Sequence, residues 1–319
     1  SVLLISPTNQ VLLLHRVRTS SSFPSAHVFP GGNLSPKHDG EVAEPDDPKR
    51  HVDGEAYRLG AIRETFEESG ILLARNNGFG RLVEVPDDER EVGRKSVHSG
   101  EVMFQKWLAQ KGGRADTDGL IPFTRWITPP NLPKRFTTQM YLYFLPLSSP
   151  NSLGPLSGTA TEAVIPTPTP DGGIEHTAAR FLPPSAWLNM ANKGEIILFP
   201  PQYFLLHLIS PFLSPENLPN VIDHDELQRQ RQALMEFSKT SSPPWGEKCI
   251  SPLAVMKRKG DGRVVLGLDR PGLELENSDR KGDSERVVLV NFNKEGPRNV
   301  EVRLKKEVFE EERAAKEKL

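Results

Sequence analysis

Three glutamates within five residues, Glu64, Glu67 and Glu68, carry the clearest capacity for chemistry in this sequence. They follow Arg63 in the stretch RETFEESGI, residues 63–71, and Glu55 stands eight residues ahead of Arg63. A spacing of i, i+3 and i+4 sets the three carboxylates on one face of a helix. Gly70 reads as the residue just past the helix end. Glu67 and Glu68 then fall in the last turn, where the helix dipole is negative and acidic side chains are disfavoured. Repulsion among the three adds to that cost. A cation at the helix end offsets both, and hard divalent metals take carboxylate oxygens as ligands. Charge spacing alone is met equally by a solvated acidic face.

The elements around this stretch follow from periodicity. Residues 56–69 read as a helix whose apolar stripe is Leu59, Ile62 and Phe66, with the glutamates off the stripe. Ahead of it, 2–5 and 11–14 read as two strands joined by a turn, and 27–29 as a short strand leading into Pro30-Gly31-Gly32. A glycine pair there lets backbone approach a ligand or turn tightly. Residues 33–54, polar and acidic with prolines, read as a surface loop. After the helix come a strand at 71–73 and two helices within 86–112, with Val102, Phe104, Trp107 and Leu108 as core. Strands are expected over 120–127 and 138–147, and a mobile Ser/Thr/Pro/Gly loop over 148–173. Further strands are expected at 175–182 and 195–199, with helices from Ser185, from Pro200 to about Leu213, and over 223–238. From 243 the character changes. A hairpin turns at Gly260-Asp261-Gly262, two strands follow at 286–292 and 299–304, and a charged helix closes the chain. Glu307, Glu310 and Glu311 repeat the acidic spacing in that helix, among mixed charges, and read as solvated.

Composition narrows the classes. A chain of 319 residues suits one large domain, or one domain and a smaller one. A hydrophobic share of 36% and 29 prolines point to a core diluted by long polar loops. The net charge of −2 provides no basic field for nucleic acid or an anionic membrane. The single cysteine, Cys249, excludes an internal disulfide or a cysteine-rich zinc site and fits a reducing, intracellular compartment. No apolar run reaches the length of a membrane span, and no secretory signal is visible. The chain opens on Ser1 rather than methionine, as expected of a sequence that lacks its natural start.

Taken together, Pro30-Gly31-Gly32, Glu55 and RETFEESGI resemble the Nudix box, G-x5-E-x7-R-E-U-x-E-E-x-G-U with U aliphatic. Arg63, Glu64, Glu67, Glu68, Gly70 and Ile71 match, and Glu55 lies at the right distance; Thr65 takes the first U. The first half departs. Lys49 stands six before Glu55, and the 22 residues 33–54 separate Gly32 from Glu55 where the pattern has five. This reads as an insertion inside the box. AHVFPGG (26–32), AIRETFEESGILL (61–73), WITP (126–129), Arg135-Phe136 with Thr138, and EIILFPPQ (195–202) are similar to the peroxisomal coenzyme A diphosphatase-type branch. That likeness runs in patches over 11–210 and is weak after 243.

The resemblance implies an α/β fold, a Nudix-type α/β/α sandwich around a mixed sheet. The Nudix domain is expected over 1–242, and a small β-rich extension with a terminal helix over 243–319. It implies Mg2+- or Mn2+-dependent hydrolysis of a diphosphate linkage in a nucleoside-diphosphate derivative. Coenzyme A or acyl-coenzyme A heads the substrates, yielding 3′,5′-ADP and (acyl)phosphopantetheine. ADP-ribose, dinucleotides or capped RNA, or a catalytically idle binding module, stand as alternatives. By this likeness Glu64, Glu67 and Glu68 are metal ligands, Glu64 being a ligand or the base, and Arg63 orients a glutamate by ion pairing. Gly31 and Gly32 admit backbone to the site, and Glu55 and Glu175 are lesser candidates. The branch's coenzyme A signature sets an arginine, a second arginine and a glycine before F-P-G-G. Arg16 matches the first, Ser21 and Ser25 stand at the other two, and Arg18 is a substitute for the missing arginine. Peroxisomal or mitochondrial residence follows from the resemblance, while the tail Glu317-Lys318-Leu319 shares only its last two residues with a peroxisomal tripeptide.

Overall fold

A computed structural model of the chain describes residues 1–17, 19, 24–44, 47–77, 81–132, 134–147, 168–169, 176–213 and 224–317. The chain divides into two units, Ser1–Pro122 with Gln139–Phe181, and Phe123–Thr138 with Leu182–Leu319. Arg18, Ser21, Glu175, the tail's last two residues and nearly all of the 148–173 loop lie outside the described residues.

In the first unit, strand β1 (Val2–Ile5) is four apolar residues, each wholly buried. A strand covered on both faces reads as a continuous apolar run. β1 pairs antiparallel with β2 (Val11–Arg16) and parallel with β7 (Thr137–Phe144), in register from Val2↔Tyr141 to Ile5↔Phe144. The sheet is therefore mixed. Its β1–β2 turn is fixed by Ser6, whose Oγ accepts the N–H groups of Thr8 and Gln10. β3 (His27–Val28) pairs with β2 through Leu14↔Val28 and His15↔His27, and β8 (His176–Leu182) also pairs β2. β3 thus delivers Pro30-Gly31-Gly32 from a fixed strand.

Between β3 and β7 come helices α1 (Pro36–Asp39), α2 (Glu55–Ser69), α3 (Asp87–His98) and α4 (Phe104–Gln110). The short strands β4 (Ala74–Asn76) and β5 (Gly113–Ala115) pair antiparallel, and β6 (Ile121–Ile127) leads out of the unit. The expected stripe of α2 is buried: Leu59 at 6% exposure, Ile62 and Phe66 at 0%. Phe66 packs on Trp107 of α4 with ring centroids 4.9 Å apart, and on Phe104 at 5.9 Å. Each such side chain contributes about 1.5–3 kcal/mol of burial. The strand expected at 71–73 is not a strand. Those residues are buried after the helix cap, and the ladder starts at Ala74. Nor is 33–54 only a surface loop, since it holds α1 and a 3-10 turn, and Asp39 is 2% exposed.

The second unit holds α5 (Pro184–Asn192), α6 (Pro200–Ile209), α7 (His224–Thr240), and β9 (Cys249–Ile250), which pairs parallel with β6. Strands β10 (Leu253–Lys257), β11 (Val264–Leu268), β12 (Asp283–Asn293) and β13 (Gly296–Leu304) form an antiparallel sheet in chain order. Helix α8 (Lys305–Glu317) buries Val308 against Val265, Val287 and Leu289 of that sheet. The three glutamates expected to be solvated there are exposed, and Arg303 holds Glu311 at 2.7 Å and Glu307 at 3.3 Å from the surface. Residues 195–199 form no strand. Ile197 makes a single β-bridge and Ile196 and Leu198 are buried beside it, a case that an apolar run alone does not distinguish.

Among the described residues no helix is long and apolar enough to cross a membrane.

Candidate active site

Helix α2 ends where the sequence places its stop. Gly70 takes the left-handed conformation at φ 71°, and its N–H bonds to the carbonyl of Phe66. That conformation costs glycine least. The cap fixes the last turn, and with it Glu67 and Glu68, which are 8% and 5% exposed. Acids at this end of a helix are unfavourable unless partnered, and each has a partner.

Arg63 is the hub. It is buried, and its guanidinium donates to five acceptors. Nη1 meets Glu67 Oε1 at 2.8 Å and Glu64 Oε1 at 2.9 Å. Nε and Nη2 grip Asp39 Oδ1 and Oδ2 at 2.9 and 2.8 Å, and Nη2 also reaches the carbonyl of Asn33 at 2.9 Å. Burial works against its charge, but Asp39, Glu64 and Glu67 outweigh that and hold its proton more firmly than usual. Glu67 Oε2 lies 2.9 Å from Nδ1 of the exposed His98, and the Glu67 carbonyl accepts from Arg94 Nε at 2.6 Å. Arg94 is itself buried and reaches Thr169 Oγ1 at 2.8 Å. Glu68 Oε2 accepts the Gly31 N–H at 2.7 Å, and the buried His176 stands 3.7 Å from Glu68 Oε1. Glu64 is pushed up to about 7, first by burial and then by Glu67 and Asp39, against the pull of Arg63.

The glycine turn closes on this helix end. A Cβ on Gly32 would stand 2.4 Å from Glu64 Oε2, so only glycine leaves that carboxylate its place. Gly31 supplies a backbone donor to Glu68. Sequence spacing put 22 residues between this turn and Glu55. The fold removes the difference, because the insertion loops out and returns.

The residues named from sequence separate as follows. Glu64, Glu67, Glu68, Arg63, Gly31 and Gly32 come together. Glu55 does not: it opens α2, exposed, about 18 Å along the axis from Glu67 at 1.5 Å per residue. There it suits the positive end of the helix dipole. Arg16 closes β2, half-buried, its N–H on the carbonyl of Ala26. Asp39, Arg94, His98 and His176 were not foreseen. Arg94 and His98 share an i, i+4 face of α3, which periodicity exposes, but nothing local aims that face at α2. Asp39 lies in a stretch without periodicity.

The donor set is of the type a hard divalent cation takes, all carboxylate oxygen. Among the described residues no three His, Cys, Asp or Glu side chains are arranged as a cage for an ion. Arg63, His98 and the Gly31 N–H hold the oxygens of Glu67 and Glu68 in place instead.

No family model matches the chain. A putative nudix hydrolase 7 of Caenorhabditis elegans is 34% identical over 141 residues, 44% of this chain; the chain spans 41% of that relative's length. The acyl-coenzyme A diphosphatase NUDT19 of Gallus gallus is 25% identical over 331 residues, covering 89% of this chain and 77% of the relative. A solved Nudix hydrolase from Alicyclobacillus acidocaldarius aligns at TM-score 0.47 and 24% identity, over 65% of this chain and 88% of that one, too loosely to bear on the assignment. In the box residues gathered at the end of α2, and in its likeness to these curated relatives, the chain is similar to the Nudix hydrolases.

Proposed function

We propose that the chain hydrolyses the diphosphate linkage of coenzyme A or an acyl-coenzyme A, releasing 3′,5′-ADP and the (acyl)phosphopantetheine, with Mg2+ or Mn2+ as cofactor. The observation that carries the reading is the return of the glycine turn onto the glutamate helix across an insertion. Gly31 N–H sits on Glu68 and Gly32 lies against Glu64. Curated relatives described as acyl-coenzyme A diphosphatases, similar over 89% and 88% of the chain, direct the substrate choice.

In this reading Glu64, Glu67 and Glu68 would hold the metal, which when bound neutralises phosphate charge and makes hydroxide available near neutral pH. Arg63 keeps Glu64 and Glu67 in one orientation through Nη1. Glu64 is a ligand or the group that accepts the proton of the attacking water. Water oxygen bonds to one phosphorus, the P–O bond of the diphosphate bridge breaks, and the departing phosphate carries away that electron pair. Gly32, lacking a Cβ, lets the Glu64 carboxylate lie against the glycine turn.

Ser25 lends support to the coenzyme A branch. It stands where the signature has glycine, and its φ of 58° is the left-handed conformation glycine favours. Serine there takes the backbone conformation glycine favours, and Arg16 stands at the place of the first arginine. The proposal extends to peroxisomal or mitochondrial residence, tested by imaging the tagged full-length protein.

The functional test is a substrate panel of coenzyme A, acyl-coenzyme A, ADP-ribose, a dinucleotide and capped RNA, with Mg2+ or Mn2+ and product analysis. Preferred cleavage of coenzyme A species to 3′,5′-ADP is expected. Faster cleavage of ADP-ribose would overturn the substrate and leave the reaction class standing.

A further inference from the structure

The insertion within the box carries a buried acid that touches none of the three glutamates yet sets how they are held. Asp39 closes α1, its N–H bonded to the carbonyl of Ser35 and its Oδ2 accepting the Ser35 N–H at 2.8 Å. The neighbouring His38 accepts the Phe104 N–H through Nδ1, which ties the insertion to α4. Asp39 is thereby presented in one geometry to Arg63, which it grips through both Nε and Nη2.

Arginine has five N–H donors in a fixed fork. Here Nε and one Nη2 hydrogen go to Asp39, the second Nη2 hydrogen to Asn33, and the two Nη1 hydrogens to Glu67 and Glu64. The Nε/Nη2 edge takes a carboxylate with two parallel bonds. With that edge filled, Glu64 and Glu67 are each held by one oxygen only. Glu64 Oε2 stays against Gly32 and Glu67 Oε2 stays at His98. An empty edge would draw one of these glutamates into a two-point grip and withdraw both of its oxygens.

We infer that Asp39 is a positioning residue of the hydrolytic site: by occupying the Nε/Nη2 edge of Arg63 it reserves one oxygen each of Glu64 and Glu67 for a divalent cation. This rests on the metal-dependent reading above. It gives the insertion a function, since the residue that completes the site comes from the segment that breaks the box spacing.

The test is Mn2+ binding by the full chain without substrate, read as free Mn2+ by electron paramagnetic resonance, together with coenzyme A cleavage. Asp39→Asn weakens Mn2+ binding by about 10–100-fold, the range for a residue that orients a ligand, and Asp39→Glu restores part of it. In an Arg63→Gln background Asp39→Asn adds little further loss, because it acts through Arg63. A fold-supporting role alone would lower the melting temperature and leave Mn2+ affinity unchanged. If Asp39→Asn fails to fold, Asp39→Glu reads the same contact, since it keeps the carboxylate but alters its reach to Arg63, and a smaller loss of affinity is expected. Wild-type Mn2+ affinity and turnover in Asp39→Asn, or in Asp39→Glu where Asp39→Asn does not fold, overturn the inference and leave the proposed function intact. Mn2+ binding that depends on Asp39 in a chain that cleaves no coenzyme A overturns the substrate reading and sustains this one.

Discussion

Gly32→Ala adds one methyl group at the closest approach of the glycine turn to the glutamates. That Cβ would stand 2.4 Å from Glu64 Oε2, 2.5 Å from Cδ and 2.7 Å from Oε1, where ordinary contact begins at 3.4 Å. The carboxylate must therefore retreat by about 1 Å. A misplacement of that size costs about 100-fold in rate, or about 2.7 kcal/mol of barrier. Gly32 is exposed and outside the left-handed region, so alanine brings no backbone strain and stability changes by less than about 0.5 kcal/mol. The assay is kcat/KM for coenzyme A with Mn2+, set beside the melting temperature. The expected result is a loss near 100-fold with an unchanged melting temperature, approaching that of Glu64→Gln. Wild-type turnover in Gly32→Ala would refute the placement of Glu64 at the reacting centre.

Three further outcomes follow from the same geometry. Glu67→Gln and Glu68→Gln each lower kcat/KM by more than about 100-fold, beyond the loss typical of an orienting partner; activity within tenfold of wild type in either removes it from the ligand set. Phe66→Ala, emptying the space against Trp107 and Phe104, costs about 3–5 kcal/mol and lowers the urea midpoint; a smaller shift would mean that α4 closes over the gap. His27, held down at about 4 first by burial and then by the charges of His15 and Arg180, is neutral in the folded chain. Below about pH 6.5 the unfolded chain takes up a proton that the folded chain does not. Stability then falls as pH drops from 6.5 toward 4, by at most about 3 kcal/mol from this residue. A urea midpoint whose slope over that range is the same in His27→Gln contradicts this.

Much of the site was legible in the sequence because the residues that carry it lie on one helix. Arg63, Glu64, Glu67, Glu68 and the Gly70 stop are a local pattern with a fixed geometry. The stripe of Leu59, Ile62 and Phe66 told which side faced the core. Strands such as Val2–Ile5 were legible for a related reason, since four consecutive buried aliphatics have few other uses. Asp39 was not legible. It sits in a polar insertion with no period, and its burial depends on a partner 24 residues away. His98 and Arg94 belong to a helix that was foreseen, but its orientation toward α2 is a matter of tertiary packing, through Phe66, Phe104 and Trp107. The runs at 71–73 and 195–199 show the complementary error. Apolar residues report burial, and only pairing makes burial a strand.

Cleavage of a diphosphate by the α2 glutamates is the step on which the proposed function turns. Purified wild type and Glu67→Gln proteins, each with coenzyme A and either Mn2+ or EDTA, are compared for released 3′,5′-ADP. The wild type is expected to release 3′,5′-ADP with Mn2+ and none with EDTA, and Glu67→Gln to lose at least about 100-fold. A wild type that releases no 3′,5′-ADP with Mn2+ or Mg2+, or a Glu67→Gln protein that keeps pace with it, contradicts the central claim.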